Sequence, residues 1–130
     1  VNDQDGDICI EGMDEEAIRA FKRDMDWHRA NDETPAIILA HNPLAFDILP
    51  EDQEVLVLAG DTHGGQIPLP SWLWRILGYE KCARYNQGLF RKGKKRMYVS
   101  RGIGTSHLPL RIFRRPEVVV LHFSASEGRN

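Results

Sequence analysis

Two continuous apolar runs, Ala36-Ile37-Ile38-Leu39-Ala40 and Val55-Leu56-Val57-Leu58-Ala59, constrain this chain more than any other feature of its sequence. Each has the length expected of a strand buried on both faces, as in a parallel sheet. Around them, short apolar runs alternate with helical or irregular stretches, and that alternation predicts an α/β fold. Ile8-Cys9-Ile10 reads as a short strand closed by Gly12. Asp14-Glu15-Glu16 then opens a helix, because acidic residues in a first turn suit the positive end of the helix dipole. Ile18, Phe21, Met25 and Trp27 or His28 recur at roughly helical spacing and carry that helix to about Ala30-Asn31. His41-Asn42-Pro43 begins a loop and short helix that reach Pro50.

After Gly60 the texture changes. Gly64-Gly65, Pro68 and Pro70 mark a long irregular connection, interrupted by a helical turn or two at Trp72-Leu73-Trp74-Arg75-Ile76-Leu77. Arg91-Lys92-Gly93-Lys94-Lys95-Arg96 reads as a solvated hairpin tip between Gly88-Leu89-Phe90 and Met97-Tyr98-Val99-Ser100. A Gly-rich turn follows at residues 102–106, residues 118–123 form a last strand, and residues 124–130 are a polar tail. No apolar stretch approaches the ~18 residues that a membrane span requires. Two cysteines, Cys9 in an apolar run and Cys82 in a basic loop, make neither a disulfide framework nor a CxxC metal pair and fit a reducing compartment. The net charge of −2 conceals an asymmetry: residues 1–62 carry 16 Asp/Glu against 4 Lys/Arg, and residues 63–130 carry 3 against 13. Two halves of one fold that neutralise each other explain it, and a basic surface for anionic partners is the other reading.

The chemistry sits where the strands stop. Ala40 is followed by His41, and Ala59-Gly60 by Asp61-Thr62-His63. In open α/β sheets ligands bind beyond the carboxyl ends of strands, so two neighbouring strands ending this way deliver His41, Asp61 and His63 to one crevice. In an extended segment positions i and i+2 share a side, which points Asp61 and His63 together and turns Thr62 away. Imidazole and carboxylate suit Zn, Mn or Fe without any thiolate. Gly64-Gly65 permits positive φ and a close approach of backbone N–H groups to a bound oxyanion, which makes both glycines candidate substrate contacts. His28, His107 and His122 lack such a setting and read as core or surface residues.

Several of these segments, in order, resemble one family. Ile37-Ile38-Leu39-Ala40-His41-Asn42-Pro43, Leu58-Ala59-Gly60-Asp61-Thr62-His63-Gly64-Gly65-Gln66 and Tyr98-Val99-Ser100-Arg101-Gly102-Ile103-Gly104-Thr105-Ser106 look like the C-terminal half of a calcineurin-like metallophosphoesterase. Leu108-Pro109-Leu110-Arg111 and Arg115-Pro116-Glu117 extend the likeness, and Glu11-Gly12-Met13-Asp14 matches the Gly-Leu-Asp-Asp type of turn that opens this half. The branch it resembles is bacterial, with a Gly-His-Thr-His-Gly-Gly-Gln motif. The resemblance implies half of a four-layer αββα sandwich, a β-sheet flanked by helices. It implies a binuclear centre of two divalent ions (Mn, Zn or Fe) that hydrolyses a phosphomonoester, phosphodiester or lipid-linked diphosphate. His41 then ligates the second metal and His63 the first. Asp61 stands where the motif has its first histidine, a departure that changes ligand charge and reach. The Asp-x-His, Gly-Asp-x-x-Asp and Gly-Asn-His motifs of the family, which supply the catalytic histidine and the other ligands, do not occur and are expected before Val1. No catalytic residue is therefore assigned within this chain, and alone it is expected to be inactive.

Trp72-Leu73-Trp74-Arg75-Ile76-Leu77 reads first as packing over the loops. With Lys81, Arg84 and the basic 91–96 segment it is also a candidate peripheral contact with a membrane surface or a lipid-like substrate. Some relatives in the resembled branch act on lipid-linked diphosphates such as UDP-diacylglucosamine, and a cytoplasmic location peripheral to the inner membrane follows from that likeness. Aromatic interleaving among the basic residues is thin, so no nucleic acid is expected as a partner. The rival reading from another class is a non-catalytic anion- or membrane-surface-binding module with a decayed metal site.

Overall fold

The computed structural model describes residues 2–3, 6–7, 9–14, 16, 36–106 and 109–123. The helix expected after Asp14, His28, His107 and the polar tail therefore lie wholly or largely outside the described residues. The elements in chain order are β1 (Asn2–Asp3), β2 (Gly6–Asp7), β3 (Cys9–Met13), β4 (Ala36–Ala40), α1 (Ala45–Ile48) and β5 (Val55–Ala59). A 3₁₀ turn at His63–Gly65 follows, then α2 (Ser71–Ile76), α3 (Glu80–Arg84), β6 (Gly88–Lys92) and β7 (Lys95–Val99).

β3, β4, β5, β7 and β6 form one mixed sheet in that order. Three pairings are parallel, running from Cys9↔Ala36 to Met13↔Ala40, from Ala36↔Val55 to Ala40↔Ala59 and from Leu56↔Arg96 to Ala59↔Val99. β6 closes one edge antiparallel to β7, with Lys92 opposite Lys95 across a two-residue turn that starts at Gly93. Gly93 has φ +58, and a Cβ there would lie 2.2 Å from the Glu51 carbonyl oxygen, so only glycine fits the turn. The two short strands β1 and β2 pair antiparallel, Asn2 with Asp7, in the acidic opening segment. This is a mixed β-sheet flanked by helices, half of an αββα sandwich.

The register decides which face is core. Ile38, Val57 and Met97 lie side by side across β4, β5 and β7, as do Ala40, Ala59 and Val99, and all are buried. α1 covers that face with Phe46, and Leu49 just beyond the helix adds to the cover. Tyr85 meets Phe46 and Phe90 edge-on, and its hydroxyl donates to Asp47 Oδ1 at 2.6 Å. Burial first, and Asp47 second, push the Tyr85 phenol up to about 12.

Four expectations are corrected here. β3 does not stop at Gly12 but runs through Glu11-Gly12-Met13, because Leu39 and Ala40 of β4 extend its ladder. The apolar runs are fully buried on one face and only partly on the other, where Ile37 is buried, Leu56 and Leu58 are half-buried and Leu39 is 48% exposed. Residues 118–123 form no strand, since among the described residues none pairs with them in a ladder. They pass instead over that second face, where Val119 and Leu121 share a cavity with Leu58 and Tyr98. Cys82 lies buried in α3 rather than in a loop, and burial raises its thiol pKa.

The hairpin tip is not uniformly solvated either, because Lys95 points into the core. Its side chain is fully buried, and Nζ donates to the carbonyls of Phe46 and Leu49 at 2.6 Å each while lying 4.7 Å from the Phe46 ring centroid. The ammonium thus satisfies carbonyls at the end of α1 and complements the negative end of its dipole. Lys95→Met keeps the stem but leaves two buried acceptors unpaired, at roughly 1–3 kcal/mol each, offset in part by relief of a buried charge. A net loss of about 2 kcal/mol is expected in urea denaturation. Burial holds the Lys95 pKa below its ordinary 10.5. Between the folded and unfolded values the unfolded chain carries more protons, so this residue makes stability rise as pH climbs toward 10.5. That component of the pH dependence is expected to vanish in Lys95→Met.

Candidate functional site

β4 and β5 are parallel neighbours, so their carboxyl ends share one edge of the sheet. His41 follows β4 directly, and its carbonyl accepts from Gly60 N–H at 3.3 Å, joining the two strand ends. Beyond Gly60 the chain is not extended. Asp61 has φ +67, Thr62 is helical at φ −74, and His63, Gly64, Gly65 and Gln66 have φ of +51, +64, +75 and +50. The alternation expected of a strand does not apply, and Thr62 is buried with Oγ1 donating to Asn86 O at 2.6 Å.

Non-glycine residues at positive φ cost of order 1–3 kcal/mol each and persist only where the surroundings hold them. Here the surroundings do so through Gln66 and Arg111. The buried Gln66 side chain donates to Leu110 O at 2.9 Å and accepts from Ser106 N at 2.7 Å and Ser106 Oγ at 2.5 Å. The Arg111 guanidinium donates to the carbonyls of His63 (3.3 Å), Arg101 (2.8 Å) and Gly102 (3.3 Å), and also to Gly104. The two glycines allow close packing above this turn. A Cβ on Gly64 would meet Arg101 Cγ at 2.7 Å, and one on Gly65 would meet Trp74 Cζ2 at 2.9 Å. Both glycines are buried, and the Gly65 N–H donates to Thr62 O.

Of the three expected ligands, the structure brings two together. His41 Nε2 lies 3.4 Å from Asp61 Oδ1. The other Asp61 oxygen, Oδ2, accepts a short hydrogen bond from Lys81 Nζ. His63 is oriented separately, with Nδ1 at 3.1 Å from Gly104 O. A carbonyl only accepts, so Nδ1 carries the proton and Nε2 presents its lone pair. A backbone carbonyl that fixes one ring nitrogen in this way orients the other to ligate a metal. The donor types therefore fit a divalent ion, yet among the described residues no group of three or more His, Cys, Asp or Glu side chains gathers into a metal cluster.

Around the loop, Asn86 and Gln87 carry no sequence signal as site residues, and Lys81 and Trp74 carry one only as part of a candidate lipid contact. Lys81 is one of two basic residues in a short helix, and its pairing with Asp61 is a tertiary event. Asn86 and Gln87 flank the glycines with buried amide oxygens, Oδ1 and Oε1, that have no hydrogen-bond partner among the described residues. Trp74 walls a cavity of about 350 Å³ that is lined also by Asp61, Gln66, Tyr79 and Lys81. Behind the loop, Arg101 clasps Glu117 through Nε at 2.9 Å and through its backbone N–H at 2.9 Å. The guanidinium holds the Glu117 carboxyl below its ordinary range, and the carboxylate raises the Arg101 pKa in return.

No family profile matches the chain, and no solved structure matches it significantly. Curated relatives do match. An uncharacterized metallophosphoesterase, YkuE of Bacillus subtilis, is 37% identical over 92 residues, 71% of this chain and 32% of that protein. Phosphodiesterase YaeI of Escherichia coli is 36% identical over 87 residues, 67% of this chain and 32% of its own. A zebrafish (Danio rerio) transmembrane protein with a metallophosphoesterase domain is 33% identical over 121 residues, 85% of this chain and 26% of that protein. The chain thus spans about a third of the length of the curated relatives it matches. Taken with strand ends that carry His41, Asp61 and a pre-oriented His63, these matches establish that the chain is homologous to several metallophosphoesterase-family proteins.

Proposed function

We propose that this chain is the C-terminal portion of a metal-dependent phosphoesterase, acting on a phosphomonoester, phosphodiester or lipid-linked diphosphate. The observation that carries the proposal is His63, whose Nδ1–H is fixed on Gly104 O so that Nε2 is free to ligate, together with a His41–Asp61 pair at the ends of β4 and β5. In this reading His41, Asp61 and His63 hold part of a two-ion centre of Mn, Zn or Fe, and further ligands and the catalytic histidine come from outside this chain. When bound, such a pair would supply Lewis-acid activation of a water and positive charge for the phosphoryl oxygens. The residues of this chain position and shield. Gly64 and Gly65 bend the backbone under the phosphate side of the site, while Gln66 and Arg111 keep the turn in its left-handed conformation. The cavity bounded by Trp74 and Tyr79 receives the alcohol portion of the substrate.

Trp72, Ile76 and Leu77 are 61%, 73% and 52% exposed beside Arg75, which supports a peripheral contact with a lipid surface or lipid-like substrate and with it a place at the inner membrane. No helix among the described residues is long and apolar enough to cross a membrane.

The complete protein, loaded with Mn, Zn or Fe, is expected to hydrolyse a generic phosphodiester at about 1 per second or faster. The 130-residue chain by itself is expected to show little or no turnover. Absence of hydrolysis by the complete protein with all three metals would favour the rival reading, a non-catalytic anion- or membrane-surface-binding module.

A further inference from the structure

The Asp61 carboxylate is shared between two neighbours of different kinds. One oxygen faces the His41 imidazole at 3.4 Å, and the other is hydrogen-bonded to the Lys81 ammonium. Asp61 is 16% exposed and Lys81 29% exposed at the side chain, so the pair sits in a partly desolvated setting where charge interactions exceed those at an open surface. Lys81 comes from α3, a separate element twenty residues on, and it is held at the same cavity wall as Asp61. His41 adds a neutral or positive group and no competing anion. Cys82, the next residue along, is buried with its thiol pKa raised and supplies no negative charge either.

We infer that Lys81 is a built-in counter-ion that competes with a divalent metal for the Asp61 carboxylate. The inference rests on the proposed metal site and deepens it. A carboxylate brings a full negative charge to a position where an imidazole would bring none, and the Asp61–Lys81 pair returns that position to net neutrality. A metal that takes Asp61 must displace the ammonium or bind next to it. Metal affinity is therefore lower than the ligand types alone dictate. When the metal does bind, the released ammonium remains at the mouth of the 350 Å³ cavity, where it is placed to meet a phosphoryl oxygen.

Calorimetric titration of the complete protein with Mn²⁺ tests this, with a thermal melt confirming that each variant is folded. Lys81→Gln is expected to bind Mn²⁺ about tenfold or more tightly than the parent, the equivalent of one charged hydrogen bond no longer competing. Lys81→Arg, which grips a carboxylate with a two-pronged fork, is expected to bind more weakly than the parent. Arg84→Gln removes the same charge one helical turn away, where the guanidinium already engages Asp47, and is expected to change affinity by less than about twofold. In an Asp61→His background the gain from Lys81→Gln is expected to shrink, because imidazole does not hold the ammonium. Equal affinity for parent and Lys81→Gln, or an equal gain from Arg84→Gln, overturns the inference and leaves the metal site standing. Failure of both parent and Lys81→Gln to bind Mn²⁺ at all overturns the metal site and the inference together.

Discussion

His63→Ala in the complete protein is expected to lower phosphodiester hydrolysis by more than about 100-fold, since loss of a partner that merely orients a ligand already costs 10–100-fold in affinity or activity. Here the proposed ligand itself is removed. The histidine is half-buried, its ring meets the protein through Nδ1 to Gly104 O, and none of the central packing depends on it. The thermal midpoint is therefore expected to stay close to that of the parent, and that separates lost chemistry from lost folding. Activity falling in step with stability would show that His63 is a structural residue and that the lone pair on Nε2 has no function. Steady-state rates at saturating Mn²⁺, read beside a melting curve, make the distinction.

Phe46→Ala is expected to cost about 3–5 kcal/mol of folding stability. The ring is 1% exposed, lies in the core cluster with Ile38, Val57 and Met97, meets Tyr85 at 5.9 Å and lies under the Lys95 ammonium. Removing it opens a cavity and strips Lys95 of its aromatic neighbour, although the two carbonyl acceptors remain. The change in denaturation midpoint at constant slope in urea measures the loss. A cost below about 1 kcal/mol would mean that α1 collapses onto the sheet and refills the space. That outcome would place the stability of this half in the sheet ladder rather than in the packing of α1.

Much of the scaffold was legible in local pattern. The two apolar runs are strands at their expected bounds, the short helix after Pro43 is present, and the Gly93 turn joins two strands as a hairpin. These features depend on side-chain period, on β-branched content and on one turn that only glycine fits, all of which are properties of a few neighbouring residues. The final run at 118–123 is also rich in apolar residues but has no ladder partner among the described residues, so composition alone did not make it a strand. The site was legible in part for the same reason. Placing polar side chains at the ends of adjacent parallel strands follows from topology, and His41 lies 3.4 Å from Asp61 there. The side on which His63 would lie was inferred from strand alternation, and the run of positive φ from His63 to Gln66 removes that premise.

By itself the sequence determined the two central strands and the hairpin, where the glycine turns fall, and that imidazole and carboxylate groups stand at two strand ends. Those outcomes are local: they follow from hydrophobic period, backbone sterics and the alternation of strand and loop. Tertiary structure alone decided that Lys95 is a core residue capping α1 and not part of a solvated tip, that Lys81 neutralises Asp61, and that Gln66 and Arg111 hold a left-handed turn beneath His63. Each of these joins residues 20 to 49 positions apart. No local period encodes such pairs, because a buried charge or a strained backbone is tolerated only where groups from several distant elements arrive together to satisfy it.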